Sequence, residues 1–430
     1  MRGSRWVSLK SALTATAGAA ALLAGYPAHA ETAVQAELRA LRERLAQLES
    51  QVSKDKRRVA AAAAVEAGDK PRSWKLPGTN TSMNIGGYVK FDALFDFNGT
   101  SGDAIAIAAA PAEGSVADNL GNGGNFRFHA RQTRFWIQTW TPTDWGEMRT
   151  YIETDFFGAG NVLRLRHAYG TLGPVLAGQT WSTFMPVFAG ADTLDFGGPT
   201  GQIFIRQAMI RYTHNFGGGL ELQLALEDPG PDLIIGGASA AQRAPDGVVA
   251  LSFKLPTAHL WAAGVLRGID HDTGLGNNSD RKLGWGAAIA GTWDITPRIA
   301  MGGEGSLGAG YGGKFLASAS GFSDAILAGG NNVQTIVAYA AKGWVAVKLT
   351  DTITTNVAGG WSQQDVDEEV AKAVIPGGTP HWSWSAQGNL IWRPVPQVTF
   401  GIEYSHFFGS RFNSNNATVN RIQFAAQYRF

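Results

Sequence analysis

The chain has 430 residues, no cysteine and a formal net charge of +1. The missing cysteines exclude disulfides, thiolate metal sites and cysteine nucleophiles. Residues 1–73 hold twelve Lys and Arg against seven Asp and Glu, which leaves 24 against 28 in the remainder. There is no basic stripe of the kind that neutralises nucleic-acid phosphates, so nucleic acid is not an expected partner.

Residues 1–30 read as an export signal. Arg2, Arg5 and Lys10 supply the positive region, and Ala12 to Leu23 is weakly apolar and too short to span a membrane. Ala28-His29-Ala30 is an A-x-A cleavage site, so the mature chain is expected to begin at Glu31. After the signal no apolar run approaches the roughly 18 to 20 residues of a membrane helix.

Residues 31–58 carry a heptad seam, Val34, Leu38, Leu41, Leu45, Leu48 and Val52, flanked by Glu37, Arg42, Arg44 and Glu49. A helix this short is marginal alone in water, so the seam needs a partner. Identical helices of other copies or the chain's own barrel both satisfy it. Residues 59–81 read as an Ala-rich linker.

From Ser82 the period changes to two. Sixteen candidate strands follow: 83–97, 126–141, 146–156, 163–172, 175–181, 203–215, 219–227, 246–254, 258–269, 282–294, 298–309, 334–349, 352–364, 380–393, 397–407 and 420–430. Tight connections such as Gly173-Pro174 and Thr350-Asp351 alternate with long Gly-, Asn- and Asp-rich ones such as 98–125, 228–245 and 310–333. Short turns on one side and long loops on the other are the pattern of an outer-membrane barrel. The fold class predicted is therefore all-β: a 16-stranded antiparallel transmembrane β-barrel over 82–430, preceded by a helical coiled-coil segment. Both chain ends then lie on the short-turn, periplasmic side. The last strand shows the alternation plainly. Ile422, Phe424, Ala426 and Tyr428 face lipid, while Arg421, Gln423, Gln427 and Arg429 face water. Trp140, Trp145, Trp261, Trp293, Trp344 and Trp392 fall near strand ends, where aromatic girdles form.

The same parity assigns the lumen. An arginine at the lipid midplane costs roughly 2 to 4 kcal/mol, so arginines alternating with apolar residues must point inward. Arg134 and Gln138, then Arg149, Tyr151, Glu153 and Asp155, then Arg164 and Arg166, then Arg211 are assigned inward on four of the five strands from 126–141 to 203–215. Arg131 stands just ahead of the first set. This parity puts Tyr169 and His167 outward. The arginine row could accept carboxylates bidentately, or Glu153 and Asp155 could neutralise it. Trp181 to Gln202 is too apolar for a solvated loop and lacks clean alternation. It is expected to fold into the barrel and narrow it, with Asp192 and Asp195 facing the arginines across the constriction. An outer loop covering a subunit interface is the other reading.

Ile85-Gly86-Gly87-Tyr88-Val89-Lys90-Phe91-Asp92-Ala93, Ala130-Arg131-Gln132-Thr133-Arg134-Phe135 and Thr141-Pro142-Thr143-Asp144-Trp145-Gly146-Glu147 resemble the DcaP-like trimeric porins of bacterial outer membranes. So do Leu163-Arg164-Leu165-Arg166-His167-Ala168-Tyr169-Gly170, Gly178-Gln179-Thr180-Trp181-Ser182-Thr183-Phe184 and Arg211-Tyr212-Thr213. The likeness is dense across 83–215 and looser toward the C-terminus. It implies a sixteen-stranded homotrimer in outer-membrane lipid that passes small anionic solutes, notably dicarboxylates, by diffusion. Arg131, Arg134, Arg164, Arg166 and Arg211 match the family's arginine pattern. No cofactor or metal is expected. The competing functions are an outer-membrane lipid hydrolase, for which no G-x-S-x-G elbow stands out, and a non-conducting envelope anchor.

Overall fold

The computed structural model describes residues 28–62, 65–98, 102–105, 110, 112–115, 123–230, 232–237, 242–272, 279–316, 320–328, 332–366 and 375–430. Most of the expected export signal, residues 1–27, lies outside them. The chain divides into two units, residues 1–66 and 67–430.

The first unit holds one helix, α1 (Ala28–Ala62). It extends past the heptad segment at both ends. Ala60 to Ala62 prolong it because alanine loses no side-chain entropy in a helix. The six seam residues are between 48% and 61% exposed, so among the described residues of its own unit the seam is bare. Among the described residues no helix is long and apolar enough to cross a membrane.

The second unit opens with residues read from sequence only as linker. They form a small hairpin. Ala67 bridges Trp74, and Trp74–Lys75 pairs with Met83 and Ser82. Arg72 takes the left-handed turn position at φ 59°.

Sixteen strands then close into one antiparallel barrel. In chain order they are β1 (Ser82–Asn98), β2 (Asn125–His129 and Arg134–Thr143), β3 (Gly146–Asp155), β4 (Arg164–Leu172), β5 (Val175–Trp181), β6 (Arg206–Gly217), β7 (Leu220–Glu227) and β8 (Asp246–Lys254). The circle continues with β9 (Ala258–Asp272), β10 (Ser279–Thr296), β11 (Ile299–Ala309), β12 (Val337–Lys348), β13 (Ile353–Asp365), β14 (Pro380–Val395), β15 (Val398–Arg411) and β16 (Ala417–Arg429). β16 pairs with both β15 and β1, which leaves no open edge. Outward residues such as Ile152, Leu226, Ile289 and Val357 are about half exposed or more, and form the apolar face a bilayer covers. The tight turn between β6 and β7 uses Gly217, Gly218 and Gly219 at φ 82°, 60° and 88°, a backbone that only glycine adopts cheaply.

Two interruptions change the predicted parity. The expected strand 126–141 breaks at residues 130–133. Asp92 pairs with His129 and Tyr88 with Arg134, so β2 carries one residue more than β1 across the gap. The Thr133 hydroxyl fills the ladder by accepting the Lys90 amide at 3.1 Å. In β4 the register slips between Thr154–Leu165 and Glu153–His167, leaving Arg166 as the extra residue of a bulge. The outward assignment of His167 and Tyr169 is thereby corrected. Both stand on the inner face, opposite Glu153 and Tyr151.

One part of the lumen is filled by a hydrophobic core. Residues 182–205 fold inward and meet residues 311–316 and 320–322, which include the one-turn helix α2 (Gly312–Phe315). Phe184, Ala189 and Ile203 pack with Tyr311, Phe315, Leu316 and Phe322 against small inward residues of β7–β12 such as Ala225, Ala288 and Ala340. The expected strand 334–349 begins only at Val337. Asn332–Thr335 instead joins Ala325–Ala328 and Ile234–Ile235 in a three-stranded sheet of the long loops.

Candidate functional site

Alternation and register bring the inward charges into rows around the wall. One row runs Tyr88, Arg134, Asp155, Arg164 and another Trp140, Arg149, Thr171, Leu176, Arg211. In the first row every charge has a partner. Arg164 grips Asp155 bidentately, Nε to Oδ1 at 3.0 Å and Nη2 to Oδ2 at 2.7 Å. Arg166, from the bulge, donates through Nε to Glu153 at 2.6 Å and through Nη1 to Asp155 at 2.9 Å. Arg134 Nε lies 3.3 Å from Glu153. His167 holds the Thr180 hydroxyl at 3.0 Å. The bulge explains these contacts: only an extra residue lets Arg166 and His167 occupy the inner face side by side.

The other predicted residues separate. Arg149 donates to Gln138 at 3.1 Å and lies over Tyr151 and Tyr169, 5.6 and 6.0 Å from the ring centres. Arg211 faces the lumen with no carboxylate at ion-pair distance among the described residues. Arg131 stands apart from the row. It joins Asp103 at 2.6 Å and the carbonyls of Phe157 and Gly158 at 3.1 Å, tying the β1–β2 connection to the β3–β4 connection. Burial opposes ionisation of Asp103, but the Arg131 hydrogen bond and the charges of His129, Arg131 and Arg127 outweigh it and hold the carboxyl below its usual range.

Asp192 and Asp195 sit on the inward loop, but neither forms an ion pair with the strip. Asp192 pairs with Arg393 of β14 at 2.8 Å, and buried Asp195 pairs with Arg421 of β16 at 3.2 Å. The loop presents Phe196 to the arginines instead. Arg164 and Arg166 lie 5.6 and 5.5 Å from its ring centre, and Phe157 stacks on it at 4.5 Å.

The parity argument missed Arg206. The predicted strand 203–215 would aim it at lipid, yet it begins β6 and stacks over Trp181 at 4.5 Å. The cost of a guanidinium in hydrocarbon was the available clue. Also missed were the wall groups that hold the loop. Glu403 accepts the Leu194 and Asp195 amides at 2.7 and 3.0 Å. Lys90 and Gln423 donate to the Leu194 carbonyl, each at 3.0 Å. Glu304 accepts the Ile203 amide at 2.6 Å, and Lys342 bonds Gln202 at 2.9 Å. A second buried cluster, Arg267 with Asp232 and Asp324 at 2.8 and 2.9 Å, anchors the long loops. Among the described residues no group of three or more His, Asp or Glu is placed to hold a metal ion.

The inner wall of β2–β6 is thus polar and arginine-rich, and an inward loop packs beside it. The sequence profile of the DcaP outer membrane protein family matches residues 34–298. The chain belongs to this family. The outer membrane channel DcaP of Acinetobacter baumannii superposes with a TM-score of 0.73 at 22% identity, over 85% of this chain and 100% of that one. OmpT, an outer-membrane protein of Vibrio cholerae, superposes at 0.52 with 9% identity, over 83% and 99% of the two chains. Among curated proteins nothing matches the sequence. DcaP membership and the barrel place the chain in the outer membrane with the fold of a channel.

Proposed function

We propose that this DcaP-family barrel is a passive porin for small hydrophilic solutes that favours anions, carboxylates above all. The observation that carries the reading is a local charge excess. Arg134, Arg164, Arg166 and Arg206 share one sector of wall with two carboxylates, Glu153 and Asp155. Local wall charge acts on a passing ion over a few ångströms and outweighs the barrel's net negative total. The reading includes a signal peptide over 1–30, a periplasmic α1 and three copies joined through the α1 seam. The exposed seam supports that assembly, since a helix of this length with a bare apolar stripe gains stability only from partners.

Transport is favoured over wall-mounted hydrolysis. Ser252 and His259 meet at 2.6 Å, but Phe188 stacks on the imidazole at 3.6 Å and no carboxylate bonds its other nitrogen among the described residues. A non-conducting anchor has one observation in its favour, the apolar core that fills the lumen beside β7–β12. Planar bilayers separate these readings. A porin gives stepwise currents, in triplets if trimeric, with a reversal potential on the anion side in a KCl gradient. Absence of current supports the anchor, and a cation-side reversal potential removes the anion preference.

A further inference from the structure

The guanidinium groups of the constriction differ in what remains free on them. Arg164 spends Nε and Nη2 on Asp155, Arg166 spends Nε and Nη1 on Glu153 and Asp155, and Arg134 turns Nε toward Glu153. Arg206 has no ion pair among the described residues, and its Nη1 is buried without a hydrogen-bond partner in the protein. The charges that act on it most are Arg166, Arg164, Asp155 and Arg134, three cations and one acid. Aromatic faces hold it in place: Trp181 at 4.5 Å and Phe204 at 5.8 Å. Those rings meet each other at 5.0 Å, and Phe196 reaches Phe204 at 6.0 Å. A guanidinium stacked on rings has its faces covered while its in-plane N–H fork stays available.

We infer that Arg206 is the carboxylate-docking residue of this lumen: it takes a passing carboxylate edge-on through its free fork, while the paired arginines supply field. The inference rests on the anion-passing reading above and names the side chain that gives it chemical preference. A field alone does not distinguish a carboxylate from chloride. A fork does, because two parallel N–H donors match two carboxylate oxygens.

Charge-conserving variants test this, because they leave the field in place. Wild type, Arg206→Lys and Arg164→Lys are purified, checked for folded barrels by heat-modifiable gel migration, and placed in planar bilayers with succinate as the probe. Lysine keeps the charge of Arg206 but loses the fork. The half-blocking succinate concentration should rise about tenfold in Arg206→Lys, the usual worth of one charge-assisted hydrogen bond, and less than about twofold in Arg164→Lys. Reversal potentials in KCl should stay with wild type in Arg206→Lys. Arg206→Gln should lose the block and part of the chloride preference as well. Wild-type block left intact in both Arg206 variants overturns the inference and spares the anion-passing reading. Equal weakening in Arg164→Lys also overturns it. A wild-type channel that prefers cations and ignores succinate overturns both.

Discussion

Arg421 on β16 and Asp195 on the inward loop meet at 3.2 Å with neither side chain exposed to solvent. The same guanidinium donates Nε and Nη2 to Asp96 of β1 at 2.6 and 3.1 Å. One side chain therefore staples the closing strand pair and the constriction loop together.

Removing that staple should loosen both. Arg421→Met leaves two buried carboxylates, and Arg127 at 2.9 Å from Asp96 compensates only one of them. Breaking a buried pair from one side costs about 3–5 kcal/mol. The variant should lose its heat-resistant gel form at lower temperature and show a larger, noisier single-channel conductance. Asp195→Asn, which keeps a polar contact to the Ile105 amide, should show a weaker version of both. Wild-type conductance in Arg421→Met would mean the loop is held by its other anchors alone.

Glu153 lowers the charge of the strip, because Arg134 and Arg166 both turn toward it. Glu153→Gln should raise the chloride-to-potassium permeability ratio by about fivefold, the effect of one unit charge near 4 Å in water. It should also lower stability, since Arg166 is buried and loses half of its pairing. Reversal potentials in a KCl gradient measure the first effect and thermal gel shifts the second. A fall in the ratio would count against the local-charge argument.

The Arg131–Asp103 bond gives the loop end a pH dependence. The folded pKa of Asp103 lies below its ordinary value, so its contribution is present above about pH 4. It is lost as pH falls through the lower, folded value. Hydrogen exchange at residues 102–105 should therefore quicken as pH drops below about 4, after correction for intrinsic rates, and Asp103→Asn should be fast at every pH. Exchange that slows with acid would reverse the sign.

The exposed α1 seam predicts the assembly state. Leu41→Glu with Leu48→Glu, in the full chain, should reduce the oligomer seen by light scattering in detergent while the barrel keeps its gel mobility. Both leucines are more than half exposed within the chain, so folding of the chain itself gives no reason for loss. An unchanged oligomer would assign assembly to the barrel wall alone.

Alternation made the barrel legible, since a membrane allows charge on one face only. All sixteen strands lie near their predicted places, and β16 presents Ile422, Phe424 and Tyr428 outward with Arg421 and Gln423 inward. Parity reasoning failed where the ladder gains a residue. The bulge at Arg166 turned His167 and Tyr169 inward, and no local residue type announces such a slip. Loop anchors such as Glu403, 208 residues from Asp195, were invisible because contact at that separation depends on where the chain crosses the lumen. Parity extended to Arg206, at the loop–strand boundary, aims it at lipid, and the alternation does not hold there.

The loop is also pressed against the wall by backbone, with glycine making the approach possible. A Cβ on Gly360 of β13 would stand 1.9 Å from the Thr200 carbonyl oxygen, and one on Gly201 would stand 2.5 Å from that of Trp361. Gly201 also has φ 80°, which side chains resist. Gly360→Ala must therefore displace residues 200–201 and strain the Thr200 amide bond to Ser385, 2.9 Å long. Overpacking of this kind costs about 1–3 kcal/mol. Gly388→Ala, with nothing within 4 Å of its added methyl, should be near neutral. Thermal gel shifts rank the two variants, and single-channel records read the loop. A drop in stability with altered conductance in Gly360→Ala, absent from Gly388→Ala, is the expected pattern, because a carbonyl oxygen cannot yield that space without moving the constriction.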